Sequence, residues 1–170
     1  LRDLIMLNMT KKLFDKMSQG EADEKAYGIY GSYMAMVYAT PVIGGIIADK
    51  VLGFRKAVIL GGLLMAAGHF AMAFEGIIWI FYLALALIIV GNGFFKPNIS
   101  SYLGTFYSAN DPRKDGAFTI FYMGVNIGAF LAPLTCGYVG ETFSWFWGFS
   151  LAGFGMLIGL IVFWWNLGRK

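Results

Sequence analysis

The chain has 170 residues, of which 58% are hydrophobic and 14% charged, with a formal net charge of +3. Soluble domains average about 45–50% apolar and roughly 25% charged, so too little polar sequence remains here to clothe a water-facing surface. The basic residues lie in short separate loops and form no nucleic-acid-binding stripe; one cysteine, Cys136, and one histidine, His69, give no disulfide, no metal cluster and no call for a cofactor.

Leu1–Leu13 is apolar but too short to cross a bilayer, and Arg2 and Asp3 interrupt it. It is expected to be the tail of a first helix that starts before this chain, which makes the chain a fragment. Five uncharged runs follow: Ala26–Ala48 with 23 residues, Ala57–Phe74 with 18, Gly76–Phe95 with 20, Gly116–Gly140 with 25 and Thr142–Gly168 with 27. A helix needs about 17–25 apolar residues to cross the hydrocarbon, so each run qualifies. The predicted fold class is an all-α membrane protein. One partial helix at about 1–13 precedes five complete spans at 26–49, 56–74, 77–106, 115–140 and 143–168.

Lys50, Arg55, Lys56, Arg113, Lys114, Arg169 and Lys170 all fall on one side of these spans. Positive-inside bias therefore places segments 50–56, 107–115 and 169–170 in the cytoplasm of a multi-pass protein of the cell membrane. The other side holds Lys11, Lys12, Lys16 and Lys25, diluted by Asp15, Glu21, Asp23 and Glu24.

A repeat with an offset of 92 residues carries Tyr30, Pro41, Gly45, Asp49 and Gly61 onto Tyr122, Pro133, Gly137, Glu141 and Gly153. Because the offset reverses orientation, it predicts the 3+3 inverted repeats from which six-helix transporter halves are built. Pro41, Pro97 and Pro133 lie inside spans. Each removes a backbone hydrogen bond, which neighbouring helices or cavity water can make good, and each is either a static kink or a bend used in alternating access. Gly124 with Gly128, Gly155 with Gly159, and Gly44 with Ala48 have the spacing of close helix contacts.

Lys96 is the outlier among the spans. Placed well inside the 77–106 helix, its charge costs about 2.5–3.5 kcal/mol on insertion scales unless a cavity or an acid faces it. Asn92 and Ser100 stand one turn to either side and complete a polar stripe. A structural ion pair with an acid outside this chain is the plain alternative to a site lysine. Asn126, with Tyr122 and Thr119 on its face, is either an interhelical hydrogen bond or a ligand contact. Tyr38 shares a stripe with Tyr27 and Asp49, and alone it would read as packing. Three polar groups at mid-depth on three helices favour a transport site. His69 reads as a satisfied core histidine more readily than as a proton relay.

Gly44–Asp49, GGIIAD, followed by Lys50–Lys56, KVLGFRK, resembles the loop between helices two and three of the major facilitator superfamily. Asp49 and Gly53 stand four apart where the generic form has three, which is similar to the proton-dependent oligopeptide transporters. Gly44–Gly68 fits that family's first signature, Phe118–Phe130 (FTIFYMGVNIGAF) its second, and Gly91–Ser100 (GNGFFKPNIS) its fourth helix. The resemblance implies the N-terminal six-helix bundle of a proton-coupled symporter of di- and tripeptides. In it, Lys96 couples to protons, Asn126 and Tyr38 contact peptide, Asp49 belongs to the cytoplasmic gate, and Arg2 faces an acid of the second half. The partners implied are small peptides, protons, the lipid bilayer and a C-terminal bundle outside this chain. Two features depart from the pattern. The helix-one Glu-x-x-Glu-Arg motif is not in the sequence, and Gly31 stands where animal members carry a histidine.

Relatives of the same fold that move nitrate or another small solute are the alternative. A membrane enzyme would need a nucleophile–base set or metal ligands, and a channel would need a filter-like loop or a charged ring. The sequence supplies neither.

Overall fold

A computed structural model describes residues 19–74 and 76–167 of the chain; the partial helix at 1–13 and Arg2 lie outside them. Helix α1 covers Gln19–Ile47 and passes into a π-turn at Ala48–Leu52. Helices α2, Phe54–Ala73, and α3, Ile78–Gly104, follow. Helix α4, Lys114–Ala132, is continued by a second π-turn at Pro133–Gly137 and a short α5, Tyr138–Thr142. Helix α6, Trp145–Leu167, completes the described residues. Among these residues every regular element is helical, and five helices are long and apolar enough to cross a membrane. The chain is an all-α, multi-pass integral membrane protein.

Among the described residues helix α1 reaches back to Gln19, earlier than the uncharged run at Ala26 indicates. Glu21, Asp23, Glu24 and Lys25 ride on helical turns that precede the apolar stretch, and counting uncharged residues misses such turns. The 115–140 span likewise divides, because Pro133 sits where the regular helix gives way to a π-turn.

Helix α3 is the centre of the packing. It lies along both α1 and α2, while α2 also packs on α6. Met72 of α2 with Phe81, Ala84, Leu85 and Ile88 of α3 forms the buried cluster, and Tyr33 and Phe149 close on it. Lipid tails are as apolar as these side chains, so close backbone approach supplies the drive for association. It occurs at two glycine pairs. A Cβ added to Gly61 would lie 2.6 Å from the Gly91 carbonyl oxygen, and one added to Gly91 would lie 2.7 Å from the Gly61 oxygen. Gly44 of α1 presses against the Gly93 carbonyl of α3.

The GxxxG steps behave differently from the sequence expectation. Among the described residues, nothing lies within 4 Å of a Cβ built on Gly124, Gly128, Gly155 or Gly159. Gly128, Gly155 and Gly159 instead line a cavity of about 740 Å³ among α3, α4 and α6, with Phe95, Ile99 and Phe163. Spacing fixes which residues share a helix face; it does not say which faces meet. The Gly44–Ala48 step does meet a partner, since Gly44 contacts α3 and Ala48 is fully buried.

Helix α4 has no buried residue, and its only extensive contact among the described elements is with the π-turn that continues it. At the other extreme, the α1–α2 connection is held tightly. Gly53 adopts φ 75° and ψ 152°, a region open only to glycine, and its N–H donates to the Ala48 carbonyl at 2.8 Å. This is the glycine four residues after Asp49, and the sharp exit from the π-turn is the physical reason for it.

Candidate functional site

Helix α3 carries Lys96 eight residues before its end at Gly104 and eighteen after its start at Ile78. At 1.5 Å per residue that is about 12 Å from one end and about 27 Å from the other. The side chain is exposed on the surface of the described helices, and its Nζ stands 5.3 Å from the centre of the Tyr38 ring of α1. A cation over an aromatic face within about 6 Å is attracted by the ring quadrupole, by about 0.5–1 kcal/mol where solvent reaches it. Tyr38 is itself 66% exposed, so the pair lies on an uncovered face. No acid stands within salt-bridge distance of Lys96 among the described residues. Two residues singled out from sequence on separate helices are thus brought together through an aromatic face, while the acid partner is expected outside this chain.

Asn126 occupies a different place. It stands exposed on α4, and its Nδ2 donates to the Tyr122 carbonyl one turn back at 2.9 Å. With Phe118, Thr119, Tyr122, Met123 and Phe130 it lines an open groove of about 830 Å³. Thr119 is also turned to its own helix, donating to the Asp115 carbonyl at 2.8 Å. No hydrogen bond or ring contact joins Asn126 to Lys96 or Tyr38 among the described residues. The amide oxygen of Asn126 remains available to a donor, and its second N–H to an acceptor.

Asp49 lies exposed in the π-turn at the end of α1, just before Gly53. Arg55, in the first turn of α2, donates from Nε to the Tyr102 hydroxyl at 3.1 Å and lies 5.7 Å from that ring's centre. Tyr102 in turn stacks edge-on with Phe106 and Phe163, so this end of α2, α3 and α6 is tied into one cluster. In the connection to α4, Arg113 grips Asp111 through Nε at 3.1 Å, Nη2 at 2.9 Å and its backbone N–H at 2.9 Å. The side-chain hydrogen bonds to Arg113, then its backbone N–H, hold the Asp111 carboxyl below its usual range.

Around the Lys96–Tyr38 pair the structure adds residues whose part the sequence did not reveal. Asn92, seen only as one member of a polar stripe, donates from Nδ2 to the Val37 carbonyl of α1 at 3.0 Å. Thr40 donates to the Ile89 carbonyl of α3 at 3.1 Å and to Met36 of its own helix at 2.9 Å. Asn98, 1% exposed, donates to Phe94 at 2.7 Å and reaches the Gly44 carbonyl at 3.4 Å. The signal for Asn92 was present but split between two segments: an amide on one helix, and Pro41 on another, four residues past the carbonyl it frees. His69 also departs from expectation, because its Nδ1 is buried with no hydrogen-bond partner among the described residues.

Comparison with known proteins places this geometry in a family. The model of the POT family matches residues 55–169. The chain is 39% identical over 165 residues to a peptide transporter of Yersinia enterocolitica, covering 96% of this chain and 32% of that protein. It is 44% identical over 158 residues to dipeptide and tripeptide permease A of Yersinia pestis, covering 92% and 31%. It is 46% identical over 138 residues to an uncharacterized transporter of Bacillus subtilis, covering 81% and 28%. It therefore spans about a third of the length of the curated relatives it matches. Among solved structures, the peptide transporter POT in complex with sulfate superposes with a TM-score of 0.86 at 41% identity, covering 95% of this chain and 33% of that one. The POT family transporter PepTSo gives 0.86 at 27%, covering 98% and 34%. With its family model, relatives and fold in agreement, the chain belongs to the POT family, the proton-dependent oligopeptide transporters.

Proposed function

We propose that the chain is the N-terminal bundle of a proton-coupled symporter that moves di- and tripeptides across the cell membrane by alternating access. A second bundle of the same protein would complete the site. The observation that carries this reading is the Lys96 ammonium on the Tyr38 ring, at mid-depth and on an exposed face. A charge held there by an aromatic face alone lacks a counter-charge, so a carboxylate from the remainder of the protein is its natural partner. While that carboxylate is ionised it holds Lys96; when a proton reaches it, the lysine is released and the balance between two conformations shifts.

The relatives support the choice of substrate: two are peptide transporters by name, and one related structure holds a thioalcohol-conjugated peptide at 31% identity. Asn126 and the Tyr38 hydroxyl would meet the peptide backbone, Asp49 would serve the cytoplasmic gate, and Arg2 would pair with an acid of the second bundle. The cycle makes and breaks no covalent bond, so this reading is of a carrier and not an enzyme.

The test uses the full-length protein in proteoliposomes. Lys96→Ala abolishes dipeptide uptake driven by a pH gradient and spares dipeptide exchange at equal pH. Gradient-driven uptake at the parent rate would leave Lys96 a structural group. A second reading has one observation behind it: a POT structure at 30% identity holds 5-aminolevulinic acid, a small non-peptide solute. Competition separates the two. Excess dipeptide blocks uptake under the first reading, and only 5-aminolevulinate or nitrate does so under the second.

A further inference from the structure

Pro41 and Pro97 each lack the N–H that would reach four residues back, so they free the carbonyls of Val37 on α1 and Gly93 on α3. Both carbonyls meet the opposite helix. Val37 receives the Asn92 amide at 3.0 Å, and the Gly93 oxygen lies against the Gly44 Cα, in position for a Cα–H···O contact. Two helices with complementary deficits therefore repair one another along a single seam. Thr40 to Ile89 and Asn98 to Gly44 add further crossings on the same seam.

The placement of Asn92 on that seam has a particular result. Val37 is the residue before Tyr38, and Asn92 precedes Lys96 by four residues, one helical turn of about 6 Å on the same face. We infer that Asn92 is a positioning residue for Lys96: its bond to the carbonyl freed by Pro41 fixes the register of α3 on α1 that lays the ammonium over the Tyr38 ring. The tolerance is small. The ammonium stands at 5.3 Å, and cation–π attraction fades beyond about 6 Å, so a slip of one residue, 1.5 Å along the axis with 100° of rotation, removes the contact. A wholly apolar residue at 92 would still pack, but it would leave the Val37 carbonyl unpaired and let the seam, still crossed at Thr40–Ile89 and Asn98–Gly44, relax locally around Lys96 and Tyr38.

The importance of this pair for transport rests on the function proposed above; its geometry does not, and the test separates them. The lysines of the full-length protein in nanodiscs are labelled by reductive ¹³C-methylation, with the Lys96 signal assigned by its disappearance in Lys96→Arg. The Lys96 methyls resonate upfield because they lie over the ring. Tyr38→Phe keeps the displacement and Tyr38→Leu removes it. Asn92→Leu moves the signal towards the position of the surface lysines and lowers gradient-driven uptake several-fold. In a Pro41→Ala background, where a backbone N–H again reaches Val37, Asn92→Leu has a smaller effect on the signal. If Asn92→Leu does not fold, Asn92→Gln is read in its place, with a partial displacement expected because the longer arm shifts the amide. A Lys96 signal that stays at the parent position in the Asn92 variant that folds overturns the inference. A moved signal in a protein that transports no peptide upholds the positioning and fails the proposed function instead.

Discussion

Pro41 and Pro133 stand 92 residues apart, at matching positions of the expected internal repeat, yet the helices that carry them stand in different surroundings. At Pro41 the repair comes from outside, through the Asn92 side chain of α3. At Pro133, which frees the Ala129 carbonyl, no side chain of another helix makes that repair among the described residues; the helix passes into the π-turn Pro133–Gly137, where the Thr135 hydroxyl donates to the Leu131 carbonyl at 3.0 Å. The difference follows the packing. Helix α1 lies along α3, whereas α4 has no buried residue. A proline-bearing helix packed along a partner can have its freed carbonyl met by that partner's side chain. The site residues divide the same way, Lys96 and Tyr38 on the packed seam and Asn126 on the uncovered helix.

The comparison can be broken most forcefully at the glycines. Gly44→Ala drives a methyl into the Gly93 carbonyl, where backbone must move, and overpacking of this kind costs about 1–3 kcal/mol. Gly128→Ala on the uncovered helix meets open space and stays within about ±0.5 kcal/mol. Reversible unfolding in mixed micelles measures both, and equal costs would abolish the distinction between seam and free helix. A smaller effect is expected at the site residue on α4. Asn126→Ala weakens dipeptide binding by several-fold in equilibrium titration and leaves expression and thermal stability unchanged, because its amide bonds only its own helix. A loss of stability would mean that Asn126 is structural.

The smallest effect belongs to the connection into α4, which is anchored by the pair of partly buried Asp111 and exposed Arg113. Because the carboxyl is held below its usual range, near 3.9, its contribution is complete above that value and is lost only as pH falls through the lowered one. Asp111→Asn should raise hydrogen exchange at the Arg113 amide by the same factor at pH 5 and pH 7, after correction for intrinsic rates. An effect that vanished at pH 5 would contradict the depressed titration.

Sequence and structure agree where one property decides the outcome. The spans were legible because charge is expensive in hydrocarbon, and Lys96 stood out for the same reason. Helix ends were less so, since Glu21, Asp23, Glu24 and Lys25 are charged and helical at once. Gly124, Gly128, Gly155 and Gly159 meet no neighbour among the described residues, and a one-dimensional spacing cannot say which faces meet. Asn92 was read as part of a stripe, and its role needed the carbonyl of a residue 55 positions away. Asp49 and Arg2 owe their assignments to family resemblance; Asp49 makes no contact among the described residues that would define its part, and Arg2 lies outside them.

The shared repair between α1 and α3 also bears on how the protein is made. A helix threaded singly into the bilayer with Pro41 in it carries the Val37 carbonyl unpaired in hydrocarbon, a penalty of several kcal/mol for which lipid has no donor. Helix α3, arriving later with Pro97, brings the same defect at Gly93 and, in Asn92, the cure for the first. Each helix inserted alone therefore carries an unmet carbonyl that reduces the gain from its apolar residues, and docking of α3 on α1 removes both penalties in one step.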